Sequence, residues 1–332
     1  MLSRAVTRRL IVCWVAGLCL LAGCAGENLA KENFERTTVK AEPNGREGPV
    51  PSGPIDDPAF EPATLRKVDA CALLGDELAA TLLPNGQPTA ADWGRCARTY
   101  VDVGGKPIRV MVELGESGTL ASADDATGNV GGLPLVQHSS GDSSCISVAV
   151  TRRQPNAGVS VMATHDQGGG DPCDSSYVAL EGVVEALRSN PAMMEEPEGS
   201  LMTVDLCESF SSEHVSKALE LDEEPRINPS GLHFCQLSFD DVIAYAHARV
   251  GYPVTPGDEA EEIELVDGLK VARQAGGNDI AECDVSWVHL PISEQEAELM
   301  TLSYYDYGES ADTDTACSRV TDLAKGLLKT LP

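Results

Sequence analysis

The sequence predicts an α+β protein made of two tandem two-layer sandwiches. Each is an antiparallel sheet covered by an N-terminal and a C-terminal helix and stapled by two disulfides. Three observations carry this expectation. Eight cysteines fall into two matched sets of four: Cys71, Cys96, Cys145 and Cys173, then Cys207, Cys235, Cys283 and Cys317. The two sets lie 136 to 144 residues apart, member by member. Between a helix-like segment at the start of each set and another at its end, the chain alternates with a period of two.

Within the sets the spacings are 25, 49 and 28 residues, then 28, 48 and 34. The flanks agree as well. Val68-Asp69-Ala70-Cys71 matches Val204-Asp205-Leu206-Cys207, and Gly132-Leu133 before Cys145 matches Gly268-Leu269 before Cys283. An even cysteine count in repeated spacing implies an exported disulfide framework and an internal duplication. The copies span 68–190 and 204–332. The joint, from Asn190-Pro191 to Gly199, is acidic and contains proline.

In the first copy Leu73, Leu74, Leu78 and Leu82 recur at helical spacing until Pro84-Asn85-Gly86, which predicts an opening helix. In the second, Ser211-Ser212 caps a helix running through Val215, Ala218 and Leu219 to about Leu221. Ile108–Val112, Val159–Met162, Val242–Val250 and Leu299–Tyr305 read as strands, about five per copy, and leave a mixed sheet open. Arg152-Arg153 reads as the close of a hairpin. Val178–Leu187 and Val320–Leu331 read as the closing helices. Four cysteines allow three pairings, and spacing does not choose among them. We expect first with second and third with fourth, which ties the opening helix to the first strand and a central strand to the last helix. Closing loops of this length stabilises by about 3–4 kcal/mol in the chain-entropy account.

Ahead of the copies, Arg4, Arg8 and Arg9 precede an apolar run from Leu10 to Ala22. The run is shorter than the roughly 20 residues that span a bilayer, so 1–23 reads as a secretory signal peptide. Leu21-Ala22-Gly23-Cys24 resembles the bacterial lipobox. That resemblance implies cleavage before Cys24, a diacylglycerol on its thiol, and a lipid anchor on the extracytoplasmic face of the cell membrane. Residues 24–67 hold Pro43, Pro49, Pro51, Pro54, Pro58 and Pro62 without apolar periodicity, and read as a disordered tether.

Lipobox, proline-rich tether, Asp-x-Cys opening with an Ala/Leu helix, central Cys-strand and a last Cys opening a terminal helix together resemble the actinobacterial secreted lipoprotein domain of unknown function. That domain is similar to the extracellular sensor domain of a mycobacterial serine/threonine kinase. The family's Asp-Pro-Cys opening reads Asp69-Ala70-Cys71 and Asp205-Leu206-Cys207 here. Its Cys-x-Trp is replaced by Trp93-Gly94-Arg95-Cys96 and His233-Phe234-Cys235. The resemblance implies a similar α+β fold and no established reaction.

Composition excludes one class of partner. The chain has 332 residues, 24 Lys and Arg against 52 Asp and Glu, and a net charge of −28, so it offers nucleic acid no basic face. The acids are uneven: 15 against 7 bases over 69–190, and 29 against 8 from 191 onward. The densest runs are Asp258–Glu264 and Asp306–Asp314, which read as a solvated acidic face. Calcium binding and steering of a basic partner are their functional readings, but neither run has EF-hand spacing.

Catalytic motifs are missing from the sequence. The six histidines, His138, His165, His214, His233, His247 and His289, form no His-Glu-x-x-His, and no Cys-x-x-Cys occurs, so no metal or cofactor is expected. Gly115-Glu116-Ser117-Gly118 falls one residue short of a nucleophile elbow, and Gly168-Gly169-Gly170 reads as a loop. Trp93, Trp287, Tyr304, Tyr305 and Tyr307 line a ligand surface if exposed and pack otherwise. The expected function is non-enzymatic: binding, sensing or scaffolding by an envelope protein held to the membrane through Cys24. Its envelope ligand or protein partner is unknown. Two alternatives stand beside it, an envelope hydrolase using acidic residues in one copy and a purely structural surface lipoprotein. A cleft of convergent, perturbed carboxylates in one copy would favour the hydrolase.

Overall fold

The structure is a computed structural model and describes residue 46 and residues 48–332, other than 103, 168–169, 222, 255, 257–259, 277–279 and 310. The signal peptide, Cys24 and the first part of the tether lie outside the described residues, as do Gly168-Gly169 and Asp258-Glu259. No helix among the described residues is long and apolar enough to cross a membrane.

Folded structure starts inside the segment that composition assigned to the tether. A 3₁₀ turn at Pro58–Phe60 leads into α1 (Pro62–Leu65), and Phe60 and Leu65 are buried in the first core. Both prolines sit at the first position of their turns, where a missing N–H costs nothing, so proline content and order coexist here.

The first copy continues with α2 (Ala70–Leu73), β1 (Leu83–Pro84), β2 (Thr89–Asp92), β3 (Arg95–Val101), β4 (Pro107–Ser117), β5 (Gly128–Val130), β6 (Leu133–Ser140), β7 (Ser144–Arg153), β8 (Asn156–Thr164) and α3 (Pro172–Arg188). The second holds α4 (Ser212–Leu219), β9 (Arg226–Pro229), β10 (Phe234–Phe239), β11 (Val242–Gly251), β12 (Glu261–Val266), β13 (Leu269–Gly276), β14 (Ala281–Pro291), β15 (Ala297–Asp306) and α5 (Thr313–Leu327). The protein is therefore mostly β, with more strands than the alternation suggested. The hairpin expected after Arg152-Arg153 joins β7 to β8.

Every described strand pair is antiparallel. The first sheet runs β1-β3-β4-β8-β7-β6-β5, with β2 also on β3, and the second runs β9-β10-β11-β15-β14-β13-β12. Laid side by side, these are one topology written twice. The cysteines occupy matching places: Cys96 and Cys235 on β3 and β10, Cys145 and Cys283 on β7 and β14, Cys173 and Cys317 in the closing helices. The bonds are Cys71–Cys96, Cys145–Cys173, Cys207–Cys235 and Cys283–Cys317.

The Asp-x-Cys motif has a mechanical reason. The carboxylates of Asp69, Asp171 and Asp205 accept the backbone N–H of Cys71, Cys173 and Cys207 at 2.9, 2.9 and 3.0 Å. Each aspartate caps a helical turn and fixes the cysteine two residues on, facing its strand.

The opening helices differ from each other. In the first copy the helix expected through Leu82 ends after the single turn of α2. The Leu74 carbonyl accepts from Arg98 at 2.7 Å and the Gly75 carbonyl from the Tyr100 hydroxyl at 3.2 Å. Tertiary donors thus take acceptors that a longer helix would use internally. Leu74, Leu78 and Leu82 are buried all the same, so their spacing reported burial and not helix. In the second copy α4 forms as expected, with Ser211 Oγ accepting from His214 N at 3.2 Å.

Each closing helix shares a core with its sheet. Tyr177, Leu180, Val183 and Leu187 of α3 meet Val110, Val112, Val161 and Ala163 in the first cluster. Val320, Leu323 and Leu327 of α5 meet Ala244, Ala246, Met300 and Leu302 in the second. Replacing Cys283 and Cys317 together by alanine should lower the unfolding free energy by about 3–4 kcal/mol, read by chemical denaturation. A double variant as stable as its parent would show that this bond does not staple the fold.

Candidate functional site

Alternation decides which side chains of the second sheet leave the core. On β11, Ala244, Ala246 and Ala248 are buried, so Tyr245, His247 and Arg249 take the opposite face. On β15, Met300, Leu302 and Tyr304 are buried, and Thr301, Ser303 and Tyr305 face out. On β14, Cys283, Val285 and Trp287 point inward, leaving Asp284 and Ser286. Register then assembles rows across the sheet. Tyr245 is paired with Ser303, Ser303 with Asp284, and Asp284 with Gln274. Beside that row stand Phe234, His247, Thr301 and Ser286. Together they line a concavity of about 440 Å³.

Aromatic rings run along one side of it. Phe234 lies 5.1 Å from Tyr245 and 5.2 Å from His247, and Tyr245 lies 5.9 Å from Tyr305, centroid to centroid. Burial raises the pKa of Asp284, opposed by a hydrogen bond from Ser303. Asp284 Oδ1 is buried and has no partner among the described residues. Burial also raises the Tyr245 and Tyr305 hydroxyls, Tyr305 with help from Asp284 and Glu282. Burial, then Arg249 and Arg95, push His247 down to about 4, so its ring is neutral at neutral pH.

The same face of the first sheet is different. Its corresponding strands carry Val136 and Val148 there, and these are buried with Ala121 and Val150 in a small cluster of their own. Ile55 from the leading segment and Ala123 and Ala126 from the β4–β5 connection pack on top. This roof covers the Val136–Val148 row, whose counterparts in the second copy are Ala272 and Ser286; Met111, Met162 and Ile146, the counterparts of Tyr245, Ser303 and Asp284, stay half-buried, so at those positions the copies differ in chemistry, apolar against aromatic and polar.

The two copies meet at the turns before β3 and β10. Trp93 stands three residues before Cys96 and Leu232 three before Cys235, so the positions correspond. Each is packed in the other copy's core: Leu232 is buried in the first cluster and Trp93 rests against the second. Leu232 needs Gly115, where a Cβ would come 2.4 Å from its Cγ and the backbone has φ +80. Buried Arg66 crosses the seam to the Leu232 carbonyl at 2.9 Å and to Asp205 at 2.6 Å. Ser117 Oγ donates to the Ser230 carbonyl at 2.7 Å. His233 stacks on Trp93 at 5.0 Å, with both ring nitrogens buried and unpartnered among the described residues.

A smaller concavity of about 290 Å³ opens at this seam and shares Phe234 and His247 with the open face. It holds two carboxylates, Asp92 and Glu113, both raised mainly by burial. Both are engaged. Asp92 Oδ1 accepts from Trp93 N at 2.7 Å and Val250 N at 2.9 Å, and Glu113 pairs with Arg95 at 2.9 Å. His247 stands 3.9 Å from Asp92, beyond hydrogen-bond reach.

The residues singled out from sequence scatter. Tyr305 reaches the open face, Tyr304 and Trp287 are core, Trp93 is at the seam, and Tyr307 is exposed. His289 Nε2 donates to the Gly199 carbonyl at 2.9 Å. Within the first acidic run, Glu261 and Glu262 pair with Arg273 and Lys270 across β12 and β13. Among the described residues no group of three His, Cys, Asp or Glu side chains is placed to hold a metal. Sequence reading passed over Phe234, Tyr245 and Asp284; the signal was the alternation of alanine with Tyr, His and Arg from 244 to 249. No protein-family model matches the chain, and no curated protein matches it.

Burial, then Arg66 and His247, push His233 down to about 3, against the opposite pull of Asp205. The unfolded ring takes its proton near 6.5, so the stability tied to neutral His233 is full above 6.5 and drains as pH falls below it. Between pH 6.5 and 4.5 the loss should be on the order of 2 kcal/mol. His233→Phe should flatten this acid limb in denaturation curves taken across that range. An unchanged slope would show that the ring is not neutral in the fold.

Proposed function

We propose that this is a lipid-anchored cell-envelope protein that works by binding, and that it binds on the open face of its second sheet. One observation carries the reading. Two copies share a topology and a disulfide scaffold, yet where the first carries the apolar Met111, Met162 and Ile146 the second carries Tyr245, Ser303 and Asp284, with aromatic rings and an unpartnered carboxylate oxygen around a concavity. A buried carboxylate oxygen left without a donor is unfavourable for folding alone, and function is a common reason such an atom is kept. The volume lies in the range of small-ligand pockets, roughly 300–1,000 Å³.

In this reading each copy, 68–190 and 204–332, is a two-layer sandwich of sheet and closing helix, of the actinobacterial secreted lipoprotein kind. Cys24 carries the lipid after removal of 1–23, and the chain up to the first packed residues sets the reach from the membrane. Lipobox cysteines carry more than one chain, which suits stable attachment, since one chain alone holds only marginally. The hydrolase alternative calls for a free carboxylate pair. Asp92 and Glu113 are taken up by backbone donors and by Arg95, and among the described residues Asp284 is the one carboxylate lining the open concavity, with Glu282 beside it set against Tyr305, which favours binding over hydrolysis.

A photo-crosslinking amino acid placed at Tyr245 or Tyr305 in cells should give adducts with envelope material above those from the same group at exposed Tyr307. Equal yields at all three positions would remove the binding face. Cys24→Ala should abolish acylation and move the protein from the membrane fraction to the soluble one; a variant as acylated and as membrane-bound as wild type would remove the anchor.

A further inference from the structure

The chemistry of the open face narrows its ligand, on the premise that this face binds. Three aromatic rings, Phe234, Tyr245 and Tyr305, follow one another at spacings of 5.1 and 5.9 Å. Phe234 and Tyr245 are tilted by 35° and Tyr245 and Tyr305 meet edge to face at 70°, so the rings offer separate apolar faces at an angle, with polar hydroxyl edges. Opposite them the side chains of Ser303, Thr301, Ser286 and Gln274 donate and accept without carrying charge. Among them sits the Asp284 carboxylate, whose Oδ1 is desolvated and unpartnered among the described residues, and Glu282 stands at the margin beside Tyr305. A ligand complementary to this arrangement has a flat C–H surface on one side and hydroxyl donors around its rim.

Other classes fit less well. A polyanion meets a single arginine on this face, Arg249, on a chain of net charge −28. A metal cation meets Asp284 with Glu282 at the margin, and among the described residues no three such ligands converge, where hard cations take several oxygens. An extended peptide gains most of its affinity from main-chain bonds at a sheet edge, and this is the face of the interior strands β11, β15 and β14, whose backbones are already paired on both sides. A lipid tail meets hydroxyls and an amide. We infer that the face formed by Phe234, Tyr245, Asp284 and Tyr305 binds a neutral saccharide, one or two rings at a time, with the C–H face of a ring stacked on tyrosine and a hydroxyl donating to Asp284. A hydroxyl–carboxylate hydrogen bond is charge-assisted and directional, and it answers the acceptor left without a partner among the described residues of this face.

The test uses the full chain purified in detergent. It is titrated with neutral oligosaccharides (gluco-, manno-, galacto- and arabino-oligomers and N-acetylglucosamine oligomers), with a heparin oligosaccharide as the polyanionic comparison. At least one neutral series should saturate the protein, and heparin should not. Tyr245→Ala and Tyr305→Ala should each weaken that binding at least tenfold. Tyr245→Phe should keep most of it, since the ring remains, and Tyr307→Ala should leave it unchanged. Asp284→Asn should weaken it without altering the fold. Absence of binding across the neutral series, or binding indifferent to Tyr245→Ala, Tyr305→Ala and Asp284→Asn, overturns the saccharide assignment. If adducts still form in cells from positions 245 and 305, the binding face stands and only the ligand class falls. If neither adducts nor saccharide binding is found, both fall together.

Discussion

The bond between a central strand and the closing helix sets the rest of this structure. Cys145–Cys173 and Cys283–Cys317 each pull one residue of a middle strand inward. Strand residues alternate between faces, and register carries that choice to every neighbouring strand, so one inward sulfur orients the whole sheet. With Cys283 inside, Val285 and Trp287 must follow, and Asp284 and Ser286 take the opposite face of the sheet. Across the ladder Tyr304 goes in and Ser303 and Tyr305 go out. The aspartate that caps the Cys173 turn, like those before Cys71 and Cys207, is the local device that makes such a bond reachable.

A sheet committed to a helix on one side still has another side to settle. The first copy settles it with apolar side chains and a lid of its own chain, so Val136 and Val148 are as buried as any core valine. The second copy places Ala272, Ser286, Thr301 and His247 along the corresponding row, and they line the open concavity. The same scaffold supports both because the inner face supplies the cohesion. Apolar surface removed from water contributes roughly 25 cal/mol per Å², and each copy's main cluster lies between its sheet and its closing helix.

Much of the scaffold was legible in the sequence, and the limits have physical causes. Cysteine spacing gave the duplication, and the pairing followed from tying opening turns to first strands. Alternation in Val242–Val250 and Leu299–Tyr305 identified β11 and β15. Leu73 to Leu82 misled because an i, i+3, i+4 spacing records a buried face whether or not the backbone stays helical; Arg98 and Tyr100 ended the helix from a distant strand. Prolines 58 and 62 suggested disorder because composition does not say whether a proline begins a turn or prevents one. The seam was invisible for a different reason. Trp93, Gly115 and Leu232 are far apart in the chain, and nothing near any of them announces the other two. Asp284 looked like one more acid among many until neighbours deprived it of water.

The exchange of Trp93 and Leu232 bears on how such a protein persists. A duplicated segment that merely doubles what its parent did is easily discarded. Here each half finishes the interior of the other, so deleting either one strands an indole or empties a leucine-sized hole in the survivor. Mutual completion of this kind works as a ratchet: once the two halves depend on each other, the pair is retained whatever its outer surfaces do. Those surfaces are then free to drift, and one half can become filler while the other takes on a task.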